Sequence, residues 1–152
     1  MVNEQAVKVV PVTNPVAIKD NVAWVTTEVD TLGFEYAVFY VMLGASDIAM
    51  AVFKLQESDT SGSGMADVTG AIFGTSNNTG GSTSTLPSAT DDDLIFAIEV
   101  DLKARKRYLD LSITAGDGAL GTYAAAWCML SRAKQVPNTA AERGCSQILR
   151  TT

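Results

Sequence analysis

The sequence predicts an all-β domain, a β-sandwich or barrel with a jelly-roll arrangement as first expectation, and three observations predict it. Short apolar runs rich in β-branched and aromatic residues recur along the chain. Several of them alternate apolar and polar residues with a period of two. Clusters of Gly, Asp, Asn and Ser separate them, supplying the residues that tight reversals need. About eight runs with turn signals at short spacing suit two packed sheets or one closed barrel. At 152 residues the chain has the size of one domain with a real core. The expected organisation is a single β domain over 1–132, its first twenty residues (1–20) forming an N-terminal arm, followed by a C-terminal arm over 133–152.

The expected strands lie at 6–12, 22–29, 35–43, 49–57, 67–73, 94–101, 107–114 and 123–132. The run 35–43 is apolar on both faces: Tyr36, Val38, Tyr40 and Met42 share one, and Ala37, Phe39, Val41 and Leu43 the other. Such a strand is covered twice, by a second sheet on one side and by a neighbouring subunit or loop on the other. In 107–114, Leu109, Leu111 and Ile113 oppose Tyr108, Asp110, Ser112 and Thr114, the pattern of a half-buried strand with one wet face.

The glycine-rich stretch 115–121 permits the positive φ of a tight reversal and suggests a hairpin into the last strand. That strand sets Tyr123, Ala125, Trp127 and Met129 against Ala124, Ala126, Cys128 and Leu130. Its alanine content also suits about three turns of helix, but the reversal before it favours strand. The loops 58–64 and 74–93 are too polar and small to build a core. Beyond 132 alternation ends, leaving an extended arm with a short helical turn expected around 139–143.

Composition narrows the function. Charged residues make up 18% of the chain against 47% hydrophobic, so the body folds. A net charge of −6 opposes the phosphate backbone of nucleic acid. The local cluster Lys103, Arg105, Lys106 and Arg107 is read as a solvated turn. No apolar stretch approaches a membrane span, and no secretory signal is read at the start. The chain has no histidine, which removes the usual base of Ser-His-Asp and Cys-His catalysis and the commonest transition-metal ligand.

Paired carboxylates could still cleave glycosides, with Glu28, Asp30, Glu35, Glu99 and Asp110 as the acids to consider, but solvated surface carboxylates are the simpler reading. Asp91, Asp92 and Asp93 lack the alternating spacing of a calcium loop. The pieces Gly62-Ser63-Gly64 and Gly116-Asp117-Gly118 lack the lysine and the strand-to-helix context of a phosphate loop. The triplet Asn77-Asn78-Thr79 fits a glycosylation acceptor only by its letters. Cys128 and Cys145 are expected to be one buried and one exposed thiol. No catalytic residue, cofactor or metal is expected.

One local order carries a resemblance. Glu28-Val29-Asp30-Thr31-Leu32-Gly33-Phe34-Glu35-Tyr36-Ala37-Val38, then Lys106-Arg107-Tyr108-Leu109-Asp110-Leu111-Ser112-Ile113-Thr114 and an Ala-rich final strand, resembles the small proteins that tailed bacteriophages encode beside their major capsid gene. The resemblance spans roughly 22–132, and the extension after Arg132 departs from it. It implies a head decoration, cement or minor capsid protein, β-rich and homotrimeric. Its partners would be the major capsid protein and copies of itself, with neither nucleic acid nor membrane. It would be made in the bacterial host cytoplasm and located on the capsid surface of the virion.

In that reading the arms supply binding energy through Val7, Val9, Val10, Val136, Ile148 and Leu149, at about 1.5–3 kcal/mol per fully buried side chain before ordering costs. A neck, tail or head-fibre component is the nearest alternative. A carbohydrate-binding module, built on Trp24 or Trp127, is a more distant one.

Overall fold

The computed structural model describes residues 6–75, 84–137 and 139–149. Within them lie eight strands: β1 (Lys8–Thr13), β2 (Val29–Asp30), β3 (Tyr36–Leu43), β4 (Val52–Ser58), β5 (Ala66–Ile72), β6 (Ile95–Asp101), β7 (Tyr108–Thr114) and β8 (Ala124–Ser131). A single 3-10 turn, Leu102–Ala104, follows β6. The strands form two four-stranded antiparallel sheets, a front sheet ordered β1-β8-β3-β6 and a back sheet ordered β2-β7-β4-β5. The molecule is a β-sandwich. Its neighbouring pairs are β1–β8, β8–β3 and β3–β6 in the front sheet and β2–β7, β7–β4 and β4–β5 in the back sheet.

The period-two pattern explains which residues meet between the layers. Ala37, Phe39, Val41 and Leu43 of β3 point inward with Ala126, Cys128 and Leu130 of β8 and Ile98 and Val100 of β6. Phe53 and Leu55 of β4 and Leu109, Leu111 and Ile113 of β7 meet them from the back sheet. Phe53 stacks on Phe73 at 4.2 Å between centroids, and both meet the ring of Phe96 edge-on, which ties β4 and β5 to β6.

Two expectations change. The run 22–29 is a strand only at its end: Ala23 makes an isolated bridge to Thr114, and regular pairing starts at Val29. Trp24 donates to the Ile113 carbonyl, but Thr27 then donates to Val12, so the segment changes partner sheets within four residues. Its Val22 and Val25 are left exposed. The stretch 115–121 is not a hairpin, because β7 and β8 belong to different sheets and the connection crosses between them. It closes on Asp47, whose Oδ2 accepts from the amides of Ala119 and Leu120 at 2.6 and 2.9 Å. A Cβ on Gly116 would sit 2.1 Å from the Ala49 carbonyl oxygen, so only glycine fits that crossing. The strand expected at 6–12 is present as β1, paired with β8 and with Val12 buried in the core.

The long loop is partly held by the body itself. Leu86 packs against the core, the Pro87 carbonyl accepts from Met50, and Asp92 accepts from the Ser46 amide at 2.8 Å. Residues 76–83, with the triplet Asn77-Asn78-Thr79, lie outside the described residues.

The expected helical turn after Arg132 is present and closely specified. Thr139 and Glu142 cap each other reciprocally, the Thr139 amide donating to Glu142 Oε2 and the Glu142 amide to Thr139 Oγ1. Gly144, at φ +75°, ends the turn; its amide donates to the Ala141 carbonyl and that of Cys145 to the Ala140 carbonyl. The turn docks on the edge strand β1, where the Val9 amide donates to the Arg143 carbonyl at 3.0 Å.

Candidate assembly interface

The two outward faces of the sandwich are chemically opposite. On the back sheet, Lys54 pairs with Asp67 at 2.8 Å, Gln56 donates to the same carboxylate, and Arg107 holds Asp30 through two hydrogen bonds. The Arg107 bonds are the main reason the Asp30 carboxyl sits below its ordinary pKa. Asp110, half-buried on this side, is pushed up by loss of water, against hydrogen bonds from Thr26 and the Leu111 amide. This is a solvated face.

The front sheet lacks that polar dressing. Its register sets the outward side chains in rows that run across the strands. One row is Val9, Met129, Val38 and Glu99; the next is Pro11, Trp127, Tyr40 and Ala97; a third is Ala125, Met42 and Ile95. Tyr40 and Trp127 stack at 5.7 Å at the centre. Met42 is 41% exposed and Ile95 57%. In these rows the one charged side chain is Glu99, on the β6 margin. At the end of β3, Tyr36 lies under the Arg132 guanidinium. Beyond the other end the exposed Leu94 and Tyr123 extend the apolar surface. Apolar sheet faces are among the surfaces through which proteins associate.

The residues expected to make the interface fall in different places. Val9 lies on this face. Val10 is half-buried and packs against the core. Val7 is half-buried, its carbonyl 3.5 Å from Arg143 Nε. Val136 is exposed, Ile148 half-covered, and Leu149 95% exposed. The centre of the apolar face is formed by sheet residues, Tyr40, Trp127, Val38 and Met129. Their signal was the two-sided apolarity of 35–43 and 123–132.

Of the carboxylates considered for glycoside cleavage, Glu28 lies near enough to Asp110 for its charge to help raise that carboxyl, and the others stand apart. Glu28 accepts from Ser61 and Gly62, Glu35 faces Arg132, and Glu99 stands on the front sheet. Asp91 accepts from Ser88 while Asp92 reaches Ser46, and no metal-holding group of acids, Cys and His is found among the described residues. Of the basic cluster, Arg105 approaches Glu57 and Arg107 holds Asp30. Trp24 is buried, with its Nε1 unpartnered among the described residues, so it is no sugar platform.

The two thiols differ as their burial dictates. Burial pushes the Cys128 thiol up to about 12 from an unfolded value of 9.0. The folded pKa is the higher, so this thiol's contribution to stability is complete below about pH 9 and is lost as pH rises from there toward 12. A thiol reagent at pH 8 is expected to modify Cys145 in the native protein and Cys128 only on unfolding. The melting temperature should fall above pH 9, more shallowly in Cys128→Ala. Rapid native labelling of both thiols would contradict this assignment.

No family model matches the chain, and no curated protein matches it.

Proposed function

We propose that this chain is a non-enzymatic structural protein of a tailed-phage particle, decorating or cementing the capsid shell through the apolar face of its front sheet. The observation that carries the reading is that face, with the stacked Tyr40–Trp127 pair at its centre. Left in water, it would forgo about 25 cal/mol for each Å² of apolar surface that a partner could cover. The β1–β8, β2–β7, β3–β6, β4–β5 wiring supports the finer reading of a jelly roll. The resemblance of 28–38 and 106–114 supplies the phage context, with the major capsid protein and copies of this chain, as a homotrimer, for partners.

The test joins stoichiometry to a surface variant. Mass spectrometry of purified particles should find this chain in a high, fixed ratio to the shell protein. About a dozen copies or fewer would move it to the neck, tail or fibre. Tyr40→Lys puts a charge at the centre of the face without touching the core. It should cost about 2 kcal/mol or more of binding, roughly a thirtyfold loss of shell occupancy, with an unchanged circular dichroism spectrum. Shell binding undiminished by Tyr40→Lys, or particles devoid of the chain, would overturn the reading. The half-exposed Trp127 beside Tyr40 also suits stacking on a sugar, and saturable glycan binding abolished by Trp127→Ala would favour a carbohydrate-binding module instead.

A further inference from the structure

We infer that the cleft between β5 and β6 is a strand-acceptor site, and that its occupant is the segment Ser146–Leu149 of a second copy of this chain. The inference goes beyond the shell-binding face and uses a different surface.

The acceptor follows from hydrogen-bond phase. Leu102 donates to the Glu35 carbonyl and Leu43 to the Leu94 carbonyl, so the backbone groups of Phe96, Ile98 and Val100 also point at β3. Those of Ile95, Ala97, Glu99 and Asp101 therefore point the other way. They meet no backbone partner among the described residues. Such an edge is a template for another strand unless something blunts it. β5, the facing edge of the back sheet, is blunted: its pairing with β4 slips between Lys54 and Gln56, and Gly70 sits at φ +86°. β6 pairs with β3 in unbroken register. A cleft of about 960 Å³ separates the two edges, with Val68, Phe73, Ile98 and Val100 among its walls.

The donor lies at the opposite edge of the same sheet. There β1 is closed: its Val9 amide is used by Arg143, and Pro11, two residues on, has no amide to offer. The turn pinned on β1 delivers Ser146–Leu149 with no strand partner among the described residues and with Leu149 exposed. Extended, the adjacent Ile148 and Leu149 face opposite ways. One would enter the cleft beside Val68 and Phe73 and the other would extend the apolar face of the front sheet.

Reach selects the second copy. Crossing from β1 to β6 within one molecule spans three strand spacings, about 14 Å. That distance consumes about four extended residues, all of Ser146–Leu149, before any pairing with β6 begins. With donor and acceptor on opposite edges, the contact is head-to-tail, the kind that closes into rings such as a trimer.

Two variants test this, both on the Tyr40→Lys background so that the sheet face plays no part. Ala97→Pro removes an outward amide from β6 and spares the β3 side. The pair Ile148→Asp, Leu149→Asp ruins the donor at positions outside the core, one half-covered and one exposed. By analytical ultracentrifugation, the parent should sediment as a closed oligomer and each variant alone as a single copy. An equimolar mixture should form a 1:1 heterodimer, since one donor and one acceptor remain intact. A parent that stays a single copy at all concentrations, variants that keep the parent's mass, or a mixture that never pairs would each overturn the inference. Loss of shell binding by Tyr40→Lys with this pattern intact would leave both proposals standing separately.

Discussion

Phe53→Ala is expected to be the most damaging single substitution within the aromatic cluster, lowering stability by about 3–5 kcal/mol. Phe53 is 1% exposed and lies flat against Phe73 and edge-on to Phe96. Those three rings come from β4, the end of β5 and β6. Their loss uncouples the back sheet from the front at the point where the chain crosses between them. The cavity could not collapse readily, because β4 is clamped by β7 on one side and β5 on the other. Against a total stability of about 5–15 kcal/mol for a domain of this kind, the variant would populate unfolded chain in mild urea. Urea unfolding followed by tryptophan fluorescence measures it, since Trp24 is a buried reporter. A midpoint within a few tenths molar of the parent would show that the cluster is not holding the layers together.

Gly144→Ala is expected to detach the C-terminal turn from β1 while leaving the sandwich folded. The left-handed backbone at φ +75° alone costs a non-glycine residue roughly 1–2 kcal/mol. Here the added methyl would also lie 1.7 Å from the Val9 carbonyl oxygen, a backbone atom that cannot swing aside. Moving the turn away breaks the Val9 to Arg143 hydrogen bond and uncovers the β1 edge. Hydrogen exchange should show lost protection at the Val9 amide with the core amides of β3 unaffected. Limited proteolysis should cut within 139–149 at least tenfold faster. A Val9 amide as protected as in the parent would mean that the turn tolerates the methyl and that the edge is held by other contacts.

Much of the architecture was legible because a strand buried on one side writes itself as alternation. Leu109, Leu111 and Ile113 mark β7 in the sequence, and the inward Ala126, Cys128 and Leu130 mark β8 despite its helical composition. The turn at 139–143 was expected only by position, and the structure supplies its local reason, Thr139 and Glu142 capping each other three residues apart. The run 22–29 misled because its valines satisfy a strand preference locally, while its hydrogen-bond partners lie first on β7 and then on β1. Glycines 116, 118 and 121 misled in the opposite way. They signal a reversal, yet they serve close packing against Ala49, Asp47 and Lys19 as the chain passes between sheets.

By itself, then, the sequence determined the class of fold, the inward residues and the excess apolar character of β3 and β8, all properties of neighbours along the chain. Only the tertiary structure decided where that excess is displayed, since the cross-strand register of β1, β8, β3 and β6 brings Val9, Trp127, Tyr40 and Ile95 onto one surface. It also decided which edges stay open, because whether a strand finds a partner depends on segments far away in the chain.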